Sequence, residues 1–194
     1  MKKGLLILAA VTSITVAANA QKGLGVQAGV NFSNIVGKNA SDDLKMKAGF
    51  QAGVNYDIAI GDEFYVQPAV NYIQYGAKSD GLINATLKHN YIQVPITFQY
   101  QPTVGTGNLL LGVGPYVGFG VGDVKAESGG KTISGSFKDA GYNTVDAGAK
   151  FNVGYKLSNG VYAALNADLG LTDLHKDIEK TRNAAFGVSV GFKF

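Results

Sequence analysis

The chain has 194 residues, a formal net charge of +3 and no cysteine. The length suits a single domain, and the lack of cysteine excludes disulfide bonds and lipid attachment at a cysteine. A net charge this small, spread evenly along the sequence, gives no reason to expect a nucleic-acid partner.

The N-terminus has the three parts of a secretory signal peptide. Met1-Lys2-Lys3 is positively charged, residues 4–11 are apolar, and Ala18-Asn19-Ala20 matches a cleavage site. We therefore predict a cleaved signal peptide over residues 1–20 and one mature domain over residues 21–194. The apolar run is too short for a spanning helix, which needs roughly 20 residues, and no later stretch is apolar enough. Any membrane span must therefore be built from strands.

The mature sequence alternates apolar residues with small or polar ones in eight segments. Successive side chains of a strand point to opposite faces, so this period predicts strands with one apolar and one polar face. Most segments run about 10 to 14 residues, longer than the ~5–6 usual in globular sheets and long enough to cross a bilayer at a tilt. They cover residues 24–33, 48–60, 66–72, 91–100, 109–121, 145–156, 161–172 and 186–194.

Two features interrupt the regular pattern. The third segment loses its phase at Ile73 and Tyr75, where a bulge would change the register. Pro68, Pro95 and Pro115 each remove a ladder hydrogen bond inside a segment, so we expect them at bulges or tilted corners.

The connections between segments alternate in length. Residues 61–63, 101–107 and 158–160 form short turns, whereas the other connections are longer and polar. The long ones cover residues 36–47, 76–87, 123–143 and 173–183. Short turns on one side, long loops on the other and an even strand count are typical of an outer-membrane barrel, with both termini on the periplasmic, short-turn side.

These observations predict an all-β fold: an eight-stranded antiparallel up-and-down transmembrane β-barrel with a polar interior and an apolar exterior. Closure is required because a strand in lipid cannot leave its backbone groups unpaired. The alternative is a soluble lipocalin-like barrel, whose interior is apolar. The lack of tryptophan and cysteine, and the polar alternate face, favour the membrane barrel in the outer membrane.

Aromatic residues on the apolar face provide a separate check on this prediction. They fall near the two ends of the segments, as expected of rings at the two lipid interfaces, with Tyr56 and Phe151 nearer the middle. The long-loop group is Phe32, Phe50, Tyr72, Phe119 and Phe186, and the short-turn group is Phe64, Phe98, Tyr100, Tyr155, Phe192 and Phe194.

Six charged residues fall on the predicted inner face and balance in sign. They are Asp57, Asp146, Asp168, Lys150, Lys156 and Lys193. Charges in a narrow interior must pair or be solvated, and the bore of an eight-stranded barrel is just wide enough for side chains to fill. We predict that this lumen charge network is a salt-bridged plug. A proton or ion path is the alternative.

Four motifs in chain order resemble the small outer-membrane β-barrel family called porin-like or PorT-like, found in Gram-negative bacteria. The motifs are Gln67-Pro68 followed by Tyr72, Tyr91-Ile92-Gln93-Val94-Pro95, Gly114-Pro115-Tyr116-Val117-Gly118, and Leu169-Gly170-Leu171-Thr172-Asp173. The resemblance spans nearly the whole mature chain. It implies an eight-stranded outer-membrane barrel but no shared activity, although the eponymous member acts in protein secretion.

The C-terminal segment resembles the final strand of bacterial outer-membrane barrels. Its apolar positions end on an aromatic residue at the chain terminus: Phe186, Val188, Val190, Phe192 and Phe194. The resemblance implies that this strand is the signal that the barrel-assembly machinery recognises.

The sequence offers little for catalysis. His89 and His175 fall near the long-loop rim, and Asp173 precedes His175 by two residues, so an Asp–His dyad that activates water is conceivable. Solvated loop histidines are the simpler interpretation. We find no metal-spaced cluster, and the glycines of the fifth segment follow the strand period rather than a phosphate loop. We expect no enzyme activity, no metal and no cofactor.

We therefore expect a structural or interaction barrel with a filled lumen. A narrow porin-like channel for ions or small solutes is one alternative, and an accessory role in secretion is another. The expected partners are outer-membrane lipid, lipopolysaccharide contacted by loop lysines, and the assembly machinery. A monomer is favoured.

Overall fold

The computed structural model of the chain describes residues 23–38, 44–80, 84–175 and 181–194. The predicted signal peptide lies outside the described residues, and so do residues 176–180 of the last loop. Within the described ranges, no helix is long and apolar enough to cross a membrane.

The described chain is built from eight long strands, as the sequence predicts. Three short strands extend hairpins at the two ends: Ile58–Ala59, Thr103–Val104 and Lys131–Ser136. The long strands are β1 (Leu24–Val36), β2 (Leu44–Tyr56), β3 (Phe64–Asp80), β4 (Asn84–Tyr100), β5 (Gly107–Ser128), β6 (Val145–Leu157), β7 (Val161–Gly170) and β8 (Arg182–Lys193).

The sheet closes on itself. Each long strand pairs antiparallel with its neighbours in the chain, and β1 pairs with both β2 and β8. Val30, for example, faces Phe50 on one side and Val188 on the other. The predicted up-and-down barrel is therefore confirmed, and closure leaves no open edge of long strand.

The faces of the barrel are arranged as predicted, with apolar side chains outside. Leu165 is 62% exposed and Val190 is 60% exposed, whereas Gln93 is 0% exposed and Asn71 is 2% exposed. This polar interior is the reverse of a lipocalin-like barrel. It suits a barrel whose outer surface is covered by hydrocarbon.

The sequence predicts an irregularity at Ile73 and Tyr75, and the ladder between β2 and β3 shifts register at this stretch of β3. Both side chains are almost fully buried and continue the inward phase of Asn71. The extra residue lies on β2, where five residue steps from Met46 to Gln51 oppose four from Ala77 to Ile73, so the side chains of β3 keep their phase. A second register shift lies between Lys88 and Asn90 of β4. The alternation seemed lost because the inward side chains become apolar towards the long-loop end.

The three prolines inside strands lie away from the bulges at which the sequence analysis expected them. Pro68 and Pro115 face Ile96 and Ala149 in ladders that keep a constant register, and Pro95 faces Tyr116 in the same way. Neither register shift falls at a proline. The antiparallel ladder thus tolerates a missing donor without a bulge.

Two of the predicted long loops are largely strand. β3 and β4 run to Asp80 and Asn84, and β5 continues to Ser128 before pairing with Lys131–Ser136. The outward positions of these extensions are mostly polar, so no apolar outer face marks them in the sequence.

Candidate functional site

The lumen is the site that the sequence singles out, and its short-turn end holds one ion pair. Lys193 Nζ lies 2.6 Å from Asp57 Oδ1, with both side chains buried. Gln67 Nε2 donates to the same oxygen at 2.6 Å and Gln101 Nε2 donates to Asp57 Oδ2 at 3.2 Å. Lys156 Nζ donates to Gln101 Oε1 at 3.0 Å. The Asp57 carboxylate is thus held by charge and by two amides, as a buried charge requires.

A second ion pair lies deeper and is part of a closed ring of hydrogen bonds. Lys150 and Asp168 are cross-strand partners on β6 and β7, and Lys150 Nζ lies 2.7 Å from Asp168 Oδ1. Tyr75 Oη donates to Asp168 Oδ2 at 3.0 Å, and Gln93 Nε2 donates to Tyr75 Oη at 3.0 Å. Lys150 Nζ also contacts Gln93 Oε1 at 3.4 Å. We call these four residues the polar ring.

Asp146 is bound by neutral donors. Its carboxylate accepts hydrogen bonds from Tyr116 Oη at 3.1 Å, Thr172 Oγ1 at 3.0 Å and Asn183 Nδ2 at 3.4 Å. The six charged residues of the predicted network therefore lie in three separate groups along the lumen. Within the described residues, two of the three lysines are ion-paired and Lys156 has an amide partner.

Amide side chains occupy the lumen between the two ion pairs. Gln27 Nε2 donates to Asn71 Oδ1 at 2.8 Å, and Gln99 Nε2 donates to Asn152 Oδ1 at 2.9 Å. They surround a cavity of about 30 Å³, which Lys150 and Lys193 also line. A water needs roughly 10–15 Å³ of such space, so the cavity has room for a few waters at most.

The long-loop end of the lumen is closed by an apolar cluster that the sequence analysis missed. Phe137 follows the β5 hairpin and enters the bore, where its ring lies 5.4 Å from that of Tyr91. The sequence did contain a signal for this cluster. Ile73 and Tyr75 are apolar residues at inward positions, and we interpreted them as a break in the alternation. We call the cluster the aromatic cap: Ile35, Ile73, Tyr75, Ala77, Tyr91, Val124, Phe137, Tyr142, Leu174 and Ala185.

Inward glycines make room for inward tyrosines. Tyr116 lies over its cross-strand partner Gly148, where an added Cβ would be 2.7 Å from Tyr116 Cε1. Tyr162 lies over its partner Gly191 in the same way, and an added Cβ there would contact the Tyr162 ring. The many glycines on the polar face are therefore part of the packing of a narrow bore.

The two histidines have different environments. His89 is 0% exposed, and its Nε2 lies 3.1 Å from Asn183 Oδ1, so the expectation of a solvated rim histidine is wrong for this residue. His175 stacks on Tyr142 with ring centroids 4.0 Å apart. Burial raises the pKa of Tyr142 to about 12. Asp173, the other half of the conceivable dyad, has an oxygen 3.6 Å from Arg182 Nε.

The described residues contain no group of three or more His, Asp or Glu side chains that could hold a metal ion. The charges, amides and phenols of the lumen bind one another. Four buried atoms of the described lumen side chains have no hydrogen-bond partner: Asn31 Oδ1, Asn55 Oδ1, Asn71 Nδ2 and His89 Nδ1.

The C-terminal strand presents its apolar residues to the outside. Phe186 and Val188 are exposed on β8, and Phe192 packs edge-on against Phe194 with centroids 5.1 Å apart. Phe194 N donates to Leu24 O at 2.9 Å, so the chain end is paired with the start of β1.

Comparisons with solved structures agree with this fold. Neisserial surface protein A is 14% identical, with a TM-score of 0.53 over 89% of this chain and 97% of that chain. Ail, the attachment invasion locus protein of Yersinia pestis, is 13% identical, with a TM-score of 0.47 over 90% of this chain and 100% of that chain. No curated protein matches the sequence.

A family model described as "Outer membrane protein beta-barrel domain" matches residues 5–194. The match spans all eight strands. The chain therefore belongs to the outer-membrane β-barrel domain family, as the resemblance of its motifs implies.

Proposed function

We propose that the protein is a structural or interaction barrel of the outer membrane, with a lumen filled by side chains and without catalysis. The proposal rests on one observation: two barriers lie in series along the bore. The polar ring closes its middle, and the aromatic cap closes its long-loop end. Loops on a rigid scaffold are the usual site of binding, so interaction would take place at the long-loop end.

Reconstitution into planar bilayers tests this proposal. The expected result is no stable large conductance, because both barriers are built from packed or mutually bonded side chains. A steady open channel in the wild-type protein would overturn the proposal.

A narrow channel is the second candidate, favoured by the small cavity and the lumen charges beside it. Under this hypothesis Lys150 and Asp146 would line the path. Unchanged permeability of proteoliposomes after Lys150→Ala and Asp146→Ala would exclude it.

The proposed biogenesis begins with removal of residues 1–20. The mass of the protein isolated from outer membranes should correspond to a chain that starts at Gln21. Recognition of β8 by the assembly machinery is supported by its outward apolar face and its terminal Phe194. Deletion of Phe194 should lower the yield of folded barrel in cells, and an unchanged yield would exclude that role.

A further inference from the structure

Lysines are concentrated near the long-loop end of the barrel, where Lys47 is buried in the wall beside lysines of the outer face. Ala77 and Leu87 pack against the aromatic cap inside, so strand alternation directs their neighbours Lys78 and Lys88 outward. Lys88 is also the cross-strand partner of Lys125 on β5. We call Lys47, Lys78, Lys88 and Lys125 the lysine patch.

Among the described side chains, the charges of this patch are incompletely balanced. Glu127 is occupied by Lys88, whose Nζ lies 2.7 Å from both carboxylate oxygens, and this hydrogen bond lowers the pKa of Glu127. Lys47 is 3% exposed, yet the acceptors of its Nζ are neutral: Gln74 Oε1 at 3.2 Å and the Ala48 carbonyl at 3.1 Å. A buried ammonium is costly without a counter-charge.

The register adds to this imbalance. Lys88 and Lys125 face each other directly, and like charges at directly opposed positions destabilise a sheet. The arrangement is understandable if an anion from outside the chain completes it.

The patch surrounds an opening that could hold such an anion. The opening has a volume of about 370 Å³, and the residues that line it are Lys47, Ala48, Gln74, Lys78, Thr86, Lys88 and Glu127. Ammonium, amide and hydroxyl donors are suited to the acceptor oxygens of a phosphate group.

The depth of the opening indicates where the anion would come from. Phe50 and Tyr72 stack on the outer face with centroids 5.3 Å apart, as aromatic residues do at a lipid interface. Ala48 and Gln74 are two residues further along the same strands, which places the opening about 7 Å beyond the rings. Headgroup phosphates lie just beyond the aromatic belt of a membrane protein.

We propose that the lysine patch binds the phosphate group of an anionic lipid headgroup in the outer leaflet. This inference rests on the proposed placement in the outer membrane and goes beyond it by naming a site and a ligand chemistry.

Native mass spectrometry of the detergent-solubilised protein tests the proposal, with diphosphoryl lipid A as the probe. Each neutralised lysine near a membrane surface is worth about 1 kcal/mol, which corresponds to roughly fivefold in affinity. The triple variant Lys47→Gln, Lys78→Gln, Lys88→Gln should therefore bind far more weakly than wild type. A matched control, Lys38→Gln, Lys131→Gln, Lys138→Gln, removes the same charge from the same end and should bind like wild type.

The variant Glu127→Gln leaves the lysines in place and should change the affinity for lipid A in the opposite direction. It releases Lys88 from its carboxylate, so it should bind diphosphoryl lipid A more tightly, whereas a purely structural role of the patch predicts no gain. Lipid A without phosphates should bind weakly to all variants. Inorganic phosphate should bind more weakly than the lipid, since it lacks the anchoring acyl chains.

Equal binding of diphosphoryl lipid A by the triple variant and its control would overturn the proposal. Wild-type protein that binds phosphate-free lipid A as tightly as diphosphoryl lipid A would also overturn it. Inorganic phosphate that binds as tightly as the lipid would overturn the choice of a lipid source. Heat-modifiable migration of the same samples shows whether the barrel folds. Failure of wild type to insert into membranes would refute the proposed function, whereas insertion without selective lipid binding would refute the patch alone.

Discussion

Lys150 and Asp168 form the ion pair at the centre of the bore, and both side chains are less than a tenth exposed. Removing one partner of such a pair leaves an uncompensated buried charge. Asp168→Asn should therefore lower the free energy of unfolding by roughly 3 kcal/mol, measured by urea titration in lipid vesicles.

The double variant Lys150→Met, Asp168→Asn is the control for this prediction. It removes both charges, so most of the lost stability should return. If the double variant is as unstable as Asp168→Asn, the cost comes from packing around the ring and not from the unpaired lysine.

Glycines on the inner face give a second prediction at this scale. An added Cβ at Gly148 would clash with the Leu169 carbonyl oxygen and with the Tyr116 ring at 2.7 Å, whereas at Gly118 the nearest atom is Tyr91 Cδ1 at 3.3 Å. Gly148→Ala should therefore cost about 1–3 kcal/mol, the usual cost of overpacking, and Gly118→Ala much less. Urea unfolding of the two variants compares them directly, and similar losses would argue against close packing by Leu169 and Tyr116 as the reason for Gly148.

Whether most of these side chains point into the bore or out of the barrel could be predicted from the sequence, because side chains alternate along each strand with a period of two. Which residues they contact could not be predicted. Asp168 meets Lys150 because of the stagger between β6 and β7, and a shift of two residues would place it opposite Asn152 while keeping every face the same. His89 is a similar case, since the rings packed against it include Tyr142, which reaches the bore from a connection.

At the scale of elements, the strands consist of a lipid-facing part and polar extensions beyond it. Leu165 is 62% exposed near the middle of β7, and Ile133 is 75% exposed in the short strand that extends the β5 hairpin. Leu165→Lys and Val113→Lys should each cost roughly 2–4 kcal/mol if these positions face the bilayer midplane.

Ile133→Lys is the matched control, because it introduces the same charge at an exposed aliphatic residue outside the bilayer. It should leave the free energy of unfolding nearly unchanged in vesicles. Equal costs at Leu165 and Ile133 would contradict the assignment of the two environments.

The lipid-facing parts could be predicted because hydrocarbon requires apolar residues at every second position. The extensions of β3, β4 and β5 face water, where the backbone can pair without any such requirement on side chains. Lys125–Glu127 and Thr132–Ser134 therefore looked like loop sequence although they pair in regular register.

For the whole molecule, the eight-stranded bore and its contents depend on each other. Eight strands enclose a space that side chains can fill, and this chain fills it with polar groups towards the short turns and with aromatic groups towards the long loops. A closed barrel could be predicted from the strand count and connection lengths. The aromatic cap required knowledge of which residues meet across the bore, which the sequence pattern does not contain.

Two barriers in series predict how conductance responds to mutation, because opening one leaves the other closed. Tyr75 belongs to both, since its Oη binds Asp168 and its ring lies 5.9 Å from that of Tyr91 in the cap. Phe137 belongs to the cap alone, and Gln93 belongs to the ring alone. Tyr75→Ala should therefore produce brief openings in planar bilayers, whereas Phe137→Ala and Gln93→Ala should stay closed. Heat-modifiable migration would establish that all three variants are folded, and conductance in Phe137→Ala equal to that of Tyr75→Ala would mean that the cap is the only barrier.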